Sequence, residues 1–89
     1  MIESTTAYNE YGEEITITVK DRILWRWDTS DSDKIVPYPG TIHEDIIHEI
    51  SQDEEFVKIG LSWYDIADIE IVDILESKAI RSLFKKIFG

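Results

Sequence analysis

The stretch that decides the fold class is residues 41–50, TIHEDIIHEI, because its pattern is helical while its neighbours alternate like strands. Thr41 followed by Glu44 forms a capping box, in which both side chains accept hydrogen bonds from free backbone N–H groups at a helix start. Pro37 and Gly40 break the chain just before it. Its apolar residues share one arc of a helix: Ile42, Ile46, Ile47 and Ile50. The sequence therefore predicts a helix over residues 42–50.

The same stretch has the outline of the zinc-binding motif H-E-x-x-H, so a metal site has to be considered. That motif needs two histidines four residues apart, so that both imidazoles reach one ion from the same helix face. His43 and His48 are five residues apart, which separates them by about 140° around a helix axis. We therefore predict no metal site, with His43 at the edge of the core and His48 on the surface.

Strand patterns lie on both sides of this segment. Residues 15–19, ITITV, and residues 23–27, ILWRW, alternate in hydrophobicity, and we expect them to pair as a β-hairpin with Trp25 and Trp27 in the core. The turn residues at 9–12 indicate a further edge strand over residues 4–8. The pattern of residues 56–61, FVKIGL, predicts another strand.

The C-terminal third contains one ambiguous and one clear segment. Residues 62–75 are apolar on every side of a helical wheel, so we predict a single turn at 62–66 and a strand at 67–74. Residues 76–88 have a continuous apolar stripe with the bases outside it, which predicts an amphipathic helix. The predicted fold is α+β: one domain, residues 1–89, with an antiparallel sheet of three to five strands covered by helices at 41–50 and 76–88.

Net charge is the strongest global feature, at −10 for 89 residues. Residues 1–75 contain eighteen acids and five bases, for −13, whereas residues 76–89 contain one acid and four bases, for +3. Direct binding of nucleic acid is disfavoured, because phosphates attract basic surfaces. A cationic partner, including a protein that itself binds nucleic acid, is favoured by electrostatic steering. The alternative is that the acidity only maintains solubility.

Catalytic and cofactor motifs are missing from the sequence. There is no cysteine, no G-x-S-x-G motif and no glycine-rich phosphate loop among four glycines. The acidic stretch DTSDSD at 28–33 lacks the glycine and glutamate that an EF-hand requires. We predict no enzymatic activity, no cofactor and no bound metal. The polar start of the chain and the lack of a long apolar stretch predict a cytoplasmic protein without a membrane span.

The acidic side chains supply the candidate site. On a predicted strand, Asp68 and Glu70 would share one face about 6.6 Å apart, which is comparable to the spacing of phosphates along a nucleic-acid strand. Amphipathic aromatics beside acids are typical of protein interfaces. The predicted partner-binding residues are Glu44, Asp45, Glu49, Asp53, Glu54, Glu55, Trp63, Tyr64, Asp65, Asp68, Glu70 and Asp73. The alternative is that these acids are simply solvated.

These features predict a non-catalytic acidic inhibitor, encoded by a phage or another mobile element. It would mask the basic nucleic-acid-binding surface of a host defence or nucleic-acid enzyme by mimicry of nucleic acid. One alternative is an immunity or antitoxin-type protein that caps a basic toxin. Another is a peripheral membrane or oligomeric adaptor, including a homodimer, that acts through residues 76–88. The acidic body opposes membrane binding, because anionic lipids would repel it.

Overall fold

The computed structural model describes residues 2–30, 33 and 35–76, and these fold almost entirely as β-structure. The strands are β1 (Ser4–Tyr8), β2 (Glu14–Thr18), β3 (Arg22–Trp27), β4 (His43–Ile50), β5 (Phe56–Ile59), β6 (Ser62–Asp65) and β7 (Ile69–Glu76). The one helical element in the described ranges is a 3₁₀ helix, Ile66–Asp68. The predicted α+β class is therefore wrong, because no helix of seven or more residues occurs in this part of the chain.

The strands form two antiparallel sheets that enclose one core. β1 pairs with β2, and the larger sheet has the order β6-β5-β4-β3-β7. Ala7 and Ile17 of the small sheet are buried together with Ile23, Ile47 and Ile71 of the large sheet. A fully buried isoleucine contributes about 1.5–3 kcal/mol relative to an exposed one. The two-layer arrangement follows because each sheet has one apolar face to cover.

The turn and edge strand predicted near the start of the chain are confirmed. β1 has the predicted bounds, and the Gly12 N–H donates to the Asn9 carbonyl oxygen at 3.1 Å to close the turn into β2. Gly12 has a φ of +77°, a conformation that glycine adopts without steric cost. The Asn9 side chain also accepts hydrogen bonds from the Tyr11 and Glu13 amides.

The predicted hairpin between residues 15–19 and 23–27 does not form, although both segments are strands. Among the strands that the structure describes, β2 pairs with β1 alone, whereas β3 pairs with β4 and β7. The chain crosses from one sheet to the other at Asp21, which is buried and accepts a hydrogen bond from the Thr18 amide. Its carbonyl oxygen accepts from the Ile47 amide, while the Lys20 amide donates to the Ile47 carbonyl oxygen. These hydrogen bonds attach the connection between β2 and β3 to β4, and β2 does not pair with β3.

The predicted helix over residues 41–50 is strand β4. His43, Asp45 and Ile47 alternate toward the core, and a β-bulge between Ile47 and Glu49 then shifts the phase so that Ile50 is also buried. The bulge gives buried residues three positions apart, which imitates helical spacing. The isoleucine content of the segment favours a strand, since β-branched side chains pack well on a pleated surface.

Residues 62–75 are two strands and the 3₁₀ helix, so the predicted single turn at 62–66 is wrong. β6 pairs with β5, and β7 begins at Ile69 rather than at residue 67. Bulges in the β3–β7 pairing let Ile71 and Ile74 both face the core, although they are three residues apart. The same irregularity makes this segment look apolar on every side of a helical wheel.

The predicted C-terminal helix lies outside the described residues, except that residue 76 ends strand β7. The homodimer and adaptor predictions rest on this segment and stay predictions. Within residues 2–30, 33 and 35–76, no helix has the length and hydrophobicity needed to cross a membrane.

Candidate acidic groove

Two adjoining clefts form a groove where β1 meets the 3₁₀ helix. Their volumes are about 400 and 390 Å³, and both are lined by Tyr8, Ile66 and Ala67. Ile66 is buried and forms the apolar floor, whereas Tyr8 is 45% exposed beside it. Asp65 fixes the 3₁₀ helix, because its carboxylate accepts a hydrogen bond from the Ala67 amide at 2.9 Å. We call this feature the acidic groove, because carboxylates line both of its ends.

One end of the groove, the loop end, is formed by Glu54, Glu55 and Asp65. The loop between β4 and β5 brings the two glutamates to the 3₁₀ helix, and the Ile66 amide donates to the Glu55 carbonyl oxygen at 2.9 Å. Both glutamate side chains are exposed. Among the described residues, none of the three carboxylates forms an ion pair. This end therefore presents negative charge to solvent.

A hydrogen-bonded turn fixes the loop beneath these glutamates. The Asp53 carboxylate accepts from the Ser51 hydroxyl at 2.6 Å and from the Glu55 amide at 3.1 Å. The Ser51 hydroxyl oxygen accepts in turn from the Phe56 amide at 2.9 Å. The two bonds that Asp53 accepts favour its ionised form and lower its pKa below the ordinary value. The Ser51 hydroxyl is the larger cause, and the Glu55 amide is the second.

Glu54 has an unusual backbone conformation for its residue type. Its φ is +60°, and its amide donates to the Ser51 carbonyl oxygen at 2.9 Å. Glycine or asparagine adopts this left-handed conformation at lower cost than a residue with a long side chain. A carboxylate thus occupies a position where the backbone alone would favour glycine.

The other end of the groove, the arginine end, is formed by Glu10, Asp28 and Glu70. Arg26 of β3 contacts Glu70 at 2.8 Å and Glu10 at 3.3 Å. The hydrogen bond to Glu70 is the main cause that raises the pKa of Arg26, and the charges of Glu70, Glu10 and Asp28 add to it. Arg26 therefore joins the turn after β1 to strand β7 and neutralises part of this end.

The structure separates two of the residues predicted to form an acidic row. Asp68 belongs to the 3₁₀ helix and Glu70 to β7, so they do not follow one another on a strand face. The strand that the sequence predicts to carry both acids therefore begins one residue after Asp68. Glu70 lies at the arginine end of the groove, and Asp65 lines the loop end together with Glu54 and Glu55.

The predicted acids of β4 have three different environments. Glu44 forms an exposed ion pair with Arg22 at 2.8 Å. Asp45 faces inward and accepts a hydrogen bond from the Trp25 indole N–H at 3.1 Å. Glu49 is exposed, as is Asp73 of β7, and neither lines the groove. These four predicted acids therefore lie outside the groove.

The predicted aromatic pair is divided between the core and the surface. Tyr64 packs against Trp25 and Trp27, with ring centroids 4.8 and 5.4 Å apart. Trp63 points the opposite way and is 47% exposed. The Trp25 and Trp27 rings contact each other at 5.9 Å, as expected for two core-facing side chains of one strand.

The two histidines lie in different environments on β4. His43 stacks on Trp25 with a centroid separation of 4.6 Å, whereas His48 is exposed. In the described part of the chain, no three or more His, Asp or Glu residues come together in a way that could hold a metal ion. His43 and His48 lie apart because β4 is a strand, so the angle predicted between them around a helix axis does not apply.

Three residues of the groove are not among the predicted partner-binding residues, namely Tyr8, Glu10 and Asp28. Tyr8 ends β1, Glu10 lies in the following turn, and Asp28 follows β3. The Asp28 amide donates to the Asp68 carbonyl oxygen at 2.9 Å, which brings the two segments together. Only the tertiary pairing joins these positions, so no local pattern could have identified them.

The charge of the described residues is more negative than that of the whole chain. They include eighteen of the nineteen acids, all except Asp31, and four of the nine bases, which gives −14. The four bases are Lys20, Arg22, Arg26 and Lys58. Both arginines are already paired with glutamates.

The arrangement suits the recognition of cations, since the loop end offers exposed carboxylates beside an apolar floor and an accessible tyrosine. A comparison with known proteins finds no match to a protein-family model, to a curated protein or to a solved structure.

Proposed function

We propose that this protein is a non-catalytic binding protein that captures a basic protein surface in the acidic groove, and that the surface it masks is one used to bind nucleic acid. The supporting observation is the loop end, where three carboxylates surround the apolar floor without an ion pair to any described base. A basic side chain of the partner would supply the missing counter-charge.

Charge and shape contribute differently to this binding. The net charge of −10 attracts a cationic partner from a distance and accelerates association, an effect that salt screens. The groove would add specificity, because carboxylates beside an apolar floor can accept the charged head and the aliphatic stem of one arginine or lysine. The exposed ring of Tyr8 provides a further anchor of the kind common at protein interfaces.

The competition with nucleic acid follows from the same chemistry. A surface that binds phosphates is rich in arginine and lysine, and these side chains also pair with carboxylates. A partner residue engaged by Glu54, Glu55 or Asp65 would not be available to a phosphate. The protein would thus inhibit by occupying the site and would need no catalytic group.

A pair of charge-reversal variants tests the proposal. Partners are captured from host lysate with the full chain at low salt, eluted with high salt and identified by mass spectrometry. The affinity of each purified basic partner is then measured for Glu54→Lys/Glu55→Lys and for the control Glu3→Lys/Glu49→Lys. Both variants change the net charge by four, and both control positions are exposed and outside the groove.

We expect the groove variant to weaken binding about tenfold or more and the control to weaken it by only about twofold, since distant charges are screened. Duplex DNA should compete with the wild-type chain for the partner. Equal losses in the two variants would indicate binding by overall charge and contradict the role of the groove. A partner that is a toxin and is not displaced by DNA would instead support the antitoxin-type alternative.

A further inference from the structure

Strand β1 has one edge that pairs with β2 and a second edge that points away from it. On the paired edge, the Glu3 carbonyl oxygen accepts a hydrogen bond from the Val19 amide at 2.8 Å, and the register between the two strands is unbroken. In an antiparallel pair, residues that bond to the partner strand alternate with residues whose backbone groups point the other way. The backbone N–H and C=O groups of Ser4, Thr6 and Tyr8 therefore form the outward edge of β1.

This outward edge opens onto the loop end of the acidic groove. Among the described strands, β1 pairs with β2, and one isolated parallel bridge joins Asn9 to Ile71 just beyond the end of β1. The outward edge is therefore open to a further strand at Ser4 and Thr6. Thr6 lines the same cleft as the three carboxylates of the loop end.

The outward edge of β1 also lacks the features that usually block a free strand edge. Proteins commonly protect such edges with charged side chains, proline or a β-bulge. The sequence of β1, STTAY, has no charge and no proline, and its pairing with β2 has no register shift. Within the described ranges, β1 is the one strand without a charged residue. A regular, uncharged strand edge thus lies beside the carboxylates of the groove.

Strand β2 provides a contrast, because part of its outward edge is occupied. The Asp21 carboxylate accepts a hydrogen bond from the Thr18 amide at 2.9 Å, and the Asp21 amide donates to the Thr18 carbonyl oxygen at 2.9 Å. The small sheet therefore has one edge that the connection to β3 partly covers and one edge that opens onto the groove.

We propose that the partner enters the groove as an extended segment that adds a strand to the outward edge of β1, with basic side chains at every second residue. This inference rests on the function proposed for the groove and specifies the part of the partner that binds. Backbone hydrogen bonds to Ser4 and Thr6 would supply affinity, and the alternate side chains would supply specificity. Side chains on one face of a strand recur about every 6.6 Å, so successive basic residues can reach different carboxylates of the loop end. A second copy of this chain fits less well, because each copy would place its own acidic loop end beside the shared edge.

Amide hydrogen exchange of the full chain tests the added strand directly. The probe is a short peptide that alternates threonine and arginine, which presents arginine on one face of a strand in either direction. The Thr6 amide is the reporter and the Thr16 amide is the matched control. Thr16 lies opposite Thr6 in the register, and by the same alternation its amide points away from β1. We expect the peptide to slow exchange at Thr6 about tenfold or more and to leave Thr16 unchanged.

Proline substitutions test the same contact by affinity. Thr6→Pro removes the outward N–H group without removing a hydrogen bond to β2, and Thr16→Pro makes the same change on the opposite edge. The affinity for the peptide should fall about tenfold for Thr6→Pro and less than about twofold for Thr16→Pro. Thermal unfolding checks that both variants fold, and the exchange measurement on the natural chain depends on neither of them.

The charge-reversal variant Glu54→Lys/Glu55→Lys separates this inference from the proposed function. If it loses the peptide while exchange at Thr6 in the natural chain is unaffected by the peptide, the groove binds through side chains alone. The proposed function would then stand, and the added strand would be wrong. If the peptide protects Thr6 equally in this variant, the loop end does not select a basic segment, and both proposals fail.

Two further results would overturn the inference. A Thr6 amide that is already protected in the free chain, increasingly so at higher protein concentration, would assign the edge to a second copy. A peptide that does not bind the natural chain would show that the edge does not accept an extended basic segment.

Discussion

The two ends of the acidic groove have three carboxylates each, but they differ in what lies beside them. At the arginine end, Arg26 pairs with Glu70 and Glu10. At the loop end, Glu54, Glu55 and Asp65 form no ion pair with a described residue. The number of acids is the same at both ends, so the number alone does not show which end has unpaired charge. Their neighbours give the first end a structural role, and the second end is the one that we propose to bind the partner.

The difference extends to the energetics of the fold. Arg26 connects β3 to β7 and to the turn between β1 and β2, so its ion pairs stabilise the contact between the two sheets. The loop end has the opposite character, because Glu54 adopts a left-handed backbone conformation that costs free energy. Acids at the arginine end therefore contribute to stability, while at least one acid at the loop end reduces it. Such a cost is common where a residue serves binding.

The largest expected effect comes from breaking the arginine end. Arg26→Met should lower the free energy of unfolding by about 1–3 kcal/mol, because it leaves Glu70 without its charge partner in a partly buried position. The Glu70 side chain is only 16% exposed. Urea unfolding measures the change.

Arg22→Met provides the matched control for this prediction. Arg22 and Glu44 are about half exposed, at 50% and 47%, so the loss of their ion pair should cost less than about 1 kcal/mol. If the two variants were destabilised equally, the structural role assigned to Arg26 would be wrong.

A smaller effect of opposite sign is expected at the loop end. Glu54→Gly should raise the free energy of unfolding by up to about 1 kcal/mol, because glycine adopts a φ of +60° without strain. For a domain of this size, that corresponds to a rise in Tm of about 4–8 °C per kcal/mol. Glu55→Gly is the control and should not stabilise, since Glu55 is not among the residues with positive φ. A fall in Tm for Glu54→Gly would show that the left-handed backbone conformation of Glu54 does not reduce the stability of the fold.

Some elements of the fold could be predicted from the sequence, and there are physical reasons why the others could not. β1 and the turn after it were predicted correctly, because Asn9 and Gly12 determine that turn locally. β4 was predicted as a helix because its bulge spaces buried residues Ile47 and Ile50 three positions apart. The periodicity that separates strands from helices fails wherever a bulge interrupts the pleat.

The candidate site shows the same limit. Glu54, Glu55, Asp65 and Glu70 were among the acids predicted for partner binding, and all four line the groove. Nothing in the sequence indicated that Tyr8 would lie between them. The pairing of Arg26 with two acids was also unpredictable, because it joins segments that are distant in the chain. Residue type identified candidate acids, and tertiary contacts decide which of them are free to bind.

The smallest expected effect concerns the turn that supports the loop end. Ser51→Ala removes the hydroxyl that is the main cause of the lowered pKa of Asp53, so the pKa of this carboxyl should rise toward its ordinary value. A carboxyl whose pKa is lower in the folded state stabilises the fold above the pKa of the unfolded chain, about 3.9. That contribution is lost as the pH falls through the folded-state pKa.

The stability difference between wild type and Ser51→Ala should therefore be constant near neutral pH and should shrink below about pH 4. The Ser51 hydroxyl also accepts from the Phe56 amide, and that part of the difference should not change with pH. An NMR titration of the Asp53 carboxyl, together with unfolding curves at pH 7 and pH 3, separates the two parts. If the stability difference were the same at both pH values, the ionised Asp53 carboxylate would not contribute to the stability of the turn. The positions of the loop-end glutamates would then depend on backbone hydrogen bonds alone.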